Sequence, residues 1–236
     1  MIRAWLLCFL FFFEWRVFAQ ADGTQIFVDS AAVAYLRFVG NQSALYSGKE
    51  QKGYLRSSNH PYLKDVQYTK ARLSYRRIIY PDALLRLDLN RNELMVLSPD
   101  LRNIVLHPES VDYAELHGQR IIYFRRDSLP GCPPTGYYIM LYSEKIKVLK
   151  KQDLTLIEKS EPTGINRNFE TTTRFYLYKD GVYHSIRNKN GLLKVLHPYQ
   201  KELKHFISAH RLRYRHNVEE FLTRTVGEYE KISGQL

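Results

Sequence analysis

The chain has 236 residues, 35 basic and 24 acidic side chains and a formal net charge of +11, an excess that argues for solubility and weak attraction to polyanions and says nothing about fold. Beyond the first nineteen residues no apolar stretch approaches the roughly 20 residues a membrane-spanning helix requires. The remaining length suits one large domain, or a β domain with a helical appendix.

Met1 to Arg3 form a short positive region, Ala4 to Phe13 an apolar run, and Val17-Phe18-Ala19 ends in a small residue. This order predicts a secretory signal peptide over residues 1–19, cleaved before Gln20. Glu14 and Arg16 interrupt the run too early for a membrane anchor. Cys8 lies too near the start for a lipoprotein signal. Cleavage removes Cys8 and leaves Cys132 alone in Pro130-Gly131-Cys132-Pro133-Pro134, so an intramolecular disulfide is excluded and stability must come from a packed core. Export also discounts nucleic acid as the partner of the basic charge, in favour of anionic glycans or partner proteins of the envelope. The expected location is the periplasm, the outer membrane or the medium.

Residues 20–64 read as a segment of mixed structure. From 65 to 187 the pattern is that of short strands. Leu85, Leu87 and Leu89 alternate with Arg86 and Asp88, and Ile146 and Val148 with Lys145 and Lys147, the period of two that marks a strand with one buried face. Further strands are expected at 72–80, 93–97, 103–107, 111–116, 119–125, 136–142, 153–158, 171–178 and 182–187, about eleven in all. Links such as Asn90-Arg91-Asn92, His117-Gly118 and Lys179-Asp180-Gly181 are too short for parallel crossovers. The fold class is therefore mainly β, an antiparallel meander closed as a barrel or folded as a sandwich. Residues 127–135 and 160–168 are expected as longer loops.

Residues 190–236 change period. Leu192, Leu196, Tyr199, Leu203 and Phe206 recur at helical spacing. Pro198 separates a short helix from a second one. Asn217 with Glu220 predicts a capping box that opens a third. These helices are expected to pack on the β domain.

Leu45-Tyr46-Ser47-Gly48-Lys49-Glu50-Gln51, Asn59-His60-Pro61-Tyr62, the strand from Tyr80 to Asp88, and a C-terminal series through Gly191-Leu192-Leu193, Lys201-Glu202-Leu203 and Arg211-Leu212-Arg213-Tyr214 together resemble a family of uncharacterised exported β-rich proteins common in Bacteroidota. Ser47, Gln51, Asn59 and Leu87 depart from that family's pattern. The resemblance implies export and a β framework, and brings no reaction with it.

The sequence has no nucleophile elbow, zinc-binding helix, phosphate loop or dinucleotide fingerprint. No cofactor or metal is expected, since the four C-terminal histidines form no i, i+4 pair. Asp82 and Asp88 flank a strand and read as caps or wet-face residues. Two features suggest contact with a ligand. Arg211, Arg213 and Arg215, with Tyr214 among them, would point to one side if their linker is extended, toward a phosphate, carboxylate or acidic partner. Tyr137 and Tyr138, with Tyr176 and Tyr178, would suit a carbohydrate or protein surface if exposed. The sequence thus points first to an exported, non-catalytic envelope binding or accessory protein that contacts a partner protein or an anionic or saccharide ligand. A β-barrel carrier of an apolar ligand is the alternative, and a hydrolase of unrecognised type the third.

Overall fold

The computed structural model describes residues 44–129, 131–162 and 164–234. The expected signal peptide, Cys8 and the chain up to residue 43 lie outside the described residues. Eleven strands form one antiparallel sheet: β1 (Lys49–Glu50), β2 (Thr69–Tyr75), β3 (Ile78–Asp88), β4 (Glu93–Leu97), β5 (Asn103–Val105), β6 (Val111–Leu116), β7 (Gln119–Phe124), β8 (Gly136–Ser143), β9 (Lys147–Glu161), β10 (Gly164–Lys179) and β11 (Val182–Ile186). Their order is β1-β5-β4-β3-β2-β6-β7-β8-β9-β10-β11. Two meanders, β2 to β5 and β6 to β11, are joined where β6 pairs with β2. Three helices follow, α1 (Lys189–Val195), α2 (Gln200–Ala209) and α3 (Val218–Ser233). The protein is mainly β, as its period-two segments predict.

Several boundaries differ from the sequence reading. The segment 72–80 is not one strand but a hairpin, folded at Arg76 and Arg77, both at positive φ. β3 then runs through Pro81. Between the pairs Ala71↔Ala83 and Leu73↔Tyr80 the register slips by one residue, and this bulge accommodates a residue with no N–H to give to the ladder. Segments 146–148 and 153–158 become one strand, β9, which begins at Lys147. The described residues of the expected loop at 160–168 belong to the long β9–β10 hairpin, paired from Tyr178↔Lys147 out to Gly164↔Glu161.

The sheet is open, with β1 and β11 at its edges, and curls toward a barrel without closing. Leu154 on β9 donates its N–H to Leu89 O at the end of β3, 3.1 Å away. In a flat sheet those strands would lie five spacings apart, about 24 Å, so the curl brings them together. Asp88 anchors the turn that makes this contact. Expected as a cap or on a wet face, it is 0% exposed. It accepts hydrogen bonds from the N–H groups of Asn90 and Arg91, both 2.9 Å, and from the Tyr54 hydroxyl at 2.7 Å. Asn90 Nδ2 then donates to Leu154 O. Asn92 Oδ1 accepts from Tyr137 N and from the Lys151 ammonium. Gly136 makes room for this clasp: a Cβ there would stand 2.4 Å from Lys151 Nζ and 2.7 Å from Asn92.

Side chains fill the inside of the curl. Leu73, Leu85, Leu94, Ile104, Leu116 and Ile121 form a first core that reaches Leu154 and Phe169 on the far hairpin. A second core lies between the sheet and the helices, where Leu192, Leu203, Ile207, Phe221 and Val226 meet Ile146, Val148, Leu177 and Ile186. The helical stripes are docking faces. On the opposite face of the central strands a smaller cluster holds Tyr138, Leu149 and Tyr176. Strands buried on both faces lose their alternation, which is why β8 reads as a continuous apolar run.

Candidate anion-binding surface

The segment between α2 and α3 carries the arginines. α2 ends with Leu212 N donating to Ile207 O and Arg211 N to Ser208 O, while Arg211 takes φ 52°. This is a left-handed helix stop that usually holds glycine. Leu212 and Tyr214 turn inward against the second core. Tyr214 meets Phe221 edge-on at 5.4 Å, and burial raises the pKa of its hydroxyl. The next residues are not extended. His216 N and Asn217 N both donate to Arg213 O, closing a turn. Asn217 then caps α3, its Oδ1 accepting from Glu220 N at 3.1 Å, as the capping box predicts.

Two adjacent depressions result. The larger, a groove of ≈ 620 Å³, lies between the start of α1 and the arginine turn, and Lys189, Asn190, Arg213, Arg215 and His216 line it. The smaller, ≈ 130 Å³, is lined by His210, Arg211, Asn217 and Glu220 and shares Arg213 and His216 with the first. The three arginines therefore lie along two neighbouring depressions instead of on one side of an extended strand. Lys189 belongs to the same surface, brought there by the fold across the second core.

The charges around this surface are not balanced. Glu219 and Glu220, the acidic residues of α3's first turn, already pair with Lys150 at 2.7 Å and Arg224 at 3.3 Å. Among the described residues no carboxylate lines the larger groove. Among the described residues no salt bridge engages Lys189, Arg211, Arg213 or Arg215. Planar guanidinium forks left this way are suited to bidentate bonds from carboxylate or phosphate oxygens.

Tyr137 and Tyr138 lie elsewhere. Adjacent strand residues point to opposite faces, and both rings are interior, at 3% and 1% exposure. Tyr137 packs edge-on against Tyr123 in the first core. Tyr138 stacks edge-on with Phe124 and Tyr176, and its hydroxyl donates to Pro134 O. Neither ring reaches solvent or the arginines. Tyr176 is also buried.

Cys132 is partly exposed, and its Sγ accepts from Asp127 N at 3.3 Å. Desolvation holds the thiol above its ordinary pKa, so nothing here favours a reactive thiolate. Among the described residues no group of three His, Cys, Asp or Glu could hold a metal ion, and no helix is long and apolar enough to cross a membrane.

Fold and surface together define a β-sheet protein with an unbalanced basic groove at its helical end. Compared with protein-family models, curated proteins and solved structures, the chain matches none.

Proposed function

We propose that this is an exported, non-catalytic binding protein that holds anionic groups of an envelope ligand or partner at the groove formed by Lys189, Arg213, Arg215 and His216. The supporting observation is the uncompensated charge: Lys189, Arg213 and Arg215 stand around one groove with, among the described residues, no carboxylate in its lining. Arginine guanidiniums remain charged at any pH the protein meets. A protein gains nothing in stability by holding such charges together, whereas a bound anion would offset their repulsion. The interior of the curled sheet is filled by side chains, which gives an apolar-ligand carrier no support among the described residues. The first nineteen residues support export.

Chromatography on immobilised heparin tests the site. The R213A/R215A variant should elute at clearly lower salt than the wild type. The charge-matched K201A/K204A variant, altered at exposed lysines of α2, should elute close to the wild type. Equal shifts for both variants would reduce the surface to bulk charge and sink the reading. Export has its own check: N-terminal sequencing of protein recovered from the cell envelope should begin at Gln20.

A further inference from the structure

We propose that the ligand of the basic surface is a linear acidic oligosaccharide, bound through at least two successive carboxylate-bearing sugars. The proposal rests on the anion-binding reading above. Its basis is that the two depressions are continuous in their lining, with Arg213 and His216 facing both. The basic groups form a path, from Lys189 and Arg215 in the larger, through the shared pair, to Arg211 in the smaller. A single small anion occupies one end of that path. A chain with charges at successive positions uses all of it, and its second charge binds at a high effective concentration once the first is held.

The neutral groups on the path point to sugar and not to a bare chain of phosphates. The larger groove adds the amides of Asn188 and Asn190. Asn188 Oδ1 is committed to the Gly191 N–H at 2.8 Å, which leaves its Nδ2 to donate. The Asn190 carbonyl oxygen can accept from a sugar hydroxyl, a donor that a phosphate chain does not offer. The volumes agree: ≈ 620 Å³ lies within the roughly 300–1,000 Å³ of small-ligand pockets, while ≈ 130 Å³ accommodates a charged substituent. Among the described residues Glu220 is the one carboxylate at the smaller depression, and it is offset by Arg224 and by Asn217 Nδ2, each 3.3 Å away.

Calorimetric titration of the full chain at fixed ionic strength, with galacturonate, its linear tetramer, the neutral cellotetraose and inorganic polyphosphate, tests the proposal. The tetramer should bind at least about tenfold more tightly than the monomer, and cellotetraose should not bind. The Arg211→Gly variant should weaken binding of the tetramer far more than binding of the monomer, and so lose most of the tetramer's advantage. Glycine relieves the positive φ at that position, so the variant should fold at least as well as the wild type. Equal affinity for monomer and tetramer, or an equal loss of both in the variant, would overturn the oligosaccharide and leave the anion site standing. Length-dependent binding of polyphosphate without binding of galacturonate would replace the sugar with phosphate. If no anion binds, both readings fall.

Discussion

Arg76 and Arg77 hold the β2–β3 hairpin turn at φ 52° and 63°. Two other such turns among the described residues, His117-Gly118 and Asp180-Gly181, place glycine second, with φ 72° and 80° at the glycine. A left-handed conformation costs a residue with a Cβ roughly 1–2 kcal/mol, and here neighbours enforce it: Ser110 O accepts from Arg76 N at 2.8 Å and Asp112 Oδ2 from Arg77 N at 2.9 Å. Asn-Gly in this turn (R76N/R77G) should therefore raise stability by about 1–2 kcal/mol, seen as a Tm higher by roughly 2–8 °C for a chain of this size. Lys151 is a second residue under tension. At 4% exposure it lies beside Asp153 at 3.2 Å and over the Tyr138 ring at 5.1 Å. Burial lowers its pKa, against the opposing pull of Asp153. The unfolded chain then holds this proton at pH values where the folded chain has released it, so stability rises with pH between the folded pKa and the ordinary value near 10.5. Urea unfolding of the wild type and Lys151→Met between pH 8 and 10.5 should show that upward slope only in the wild type. Parallel curves would remove Lys151 as its cause.

Among the elements, the far half of β10 has no strand on its outer side, because β11 pairs only from Phe175 onward. Asn59 takes a strand's place there. Its Nδ2 donates to Phe169 O at 2.8 Å and its Oδ1 accepts from Phe169 N at 2.7 Å. Phe169 is 3% exposed, so Asn59→Ala strands two buried backbone groups and should cost about 1–3 kcal/mol in chemical denaturation. Asn59→Asp keeps the acceptor but sets a carboxylate oxygen against the Phe169 carbonyl, and should cost at least as much. Nothing in Asn59-His60-Pro61-Tyr62 announces this use, since the partner lies 110 residues away. The helices were readable because each has one apolar stripe, such as Phe221, Leu222 and Val226, and so was β3 around Leu85 and Leu87. The outer β9–β10 hairpin was not, because Glu158 to Glu161 and Gly164 to Asn166 are exposed on both faces and alternation needs one dry face. The Arg76–Arg77 turn escaped because its residues are the opposite of turn formers. Of the candidate site, the arginines were visible as a cluster, but their turn was hidden in backbone bonds to Arg213 O. Lys189 had no local signal, since only packing of α1 on the second core brings it to Arg213. Tyr137 and Tyr138 carry the same letters whether buried or exposed, and only the two-sided packing of β8 places them inside.

At the scale of the molecule, two cores share one sheet. Leu141 packs against both, and the β8–β9–β10 strands carry the first core at one end and the helical core at the other. The basic groove belongs to the helical end, while the clasp of Asp88, Asn92 and Lys151 belongs to the curl. The two should therefore be separable. Gly136→Ala, which drives a methyl into Lys151 and Asn92, should lower Tm through the first core. If folded at the assay temperature it should retain the heparin elution of the wild type. Loss of both together in a folded variant would show that the ends act as one.

The clasp has a further consequence during synthesis. Asn90 and the Leu154 carbonyl it binds are 64 residues apart in the chain. At about 5–20 residues per second a ribosome needs roughly 3–13 s to cover that distance. For those seconds the chain of the first meander, with Leu73, Leu85 and Leu94, lacks the strand that seals them in the folded protein. The window in which nascent chains could stick to one another is set by the separation of two residues in sequence. A chaperone that shields apolar surface would have its binding site on this protein there, before β9 emerges.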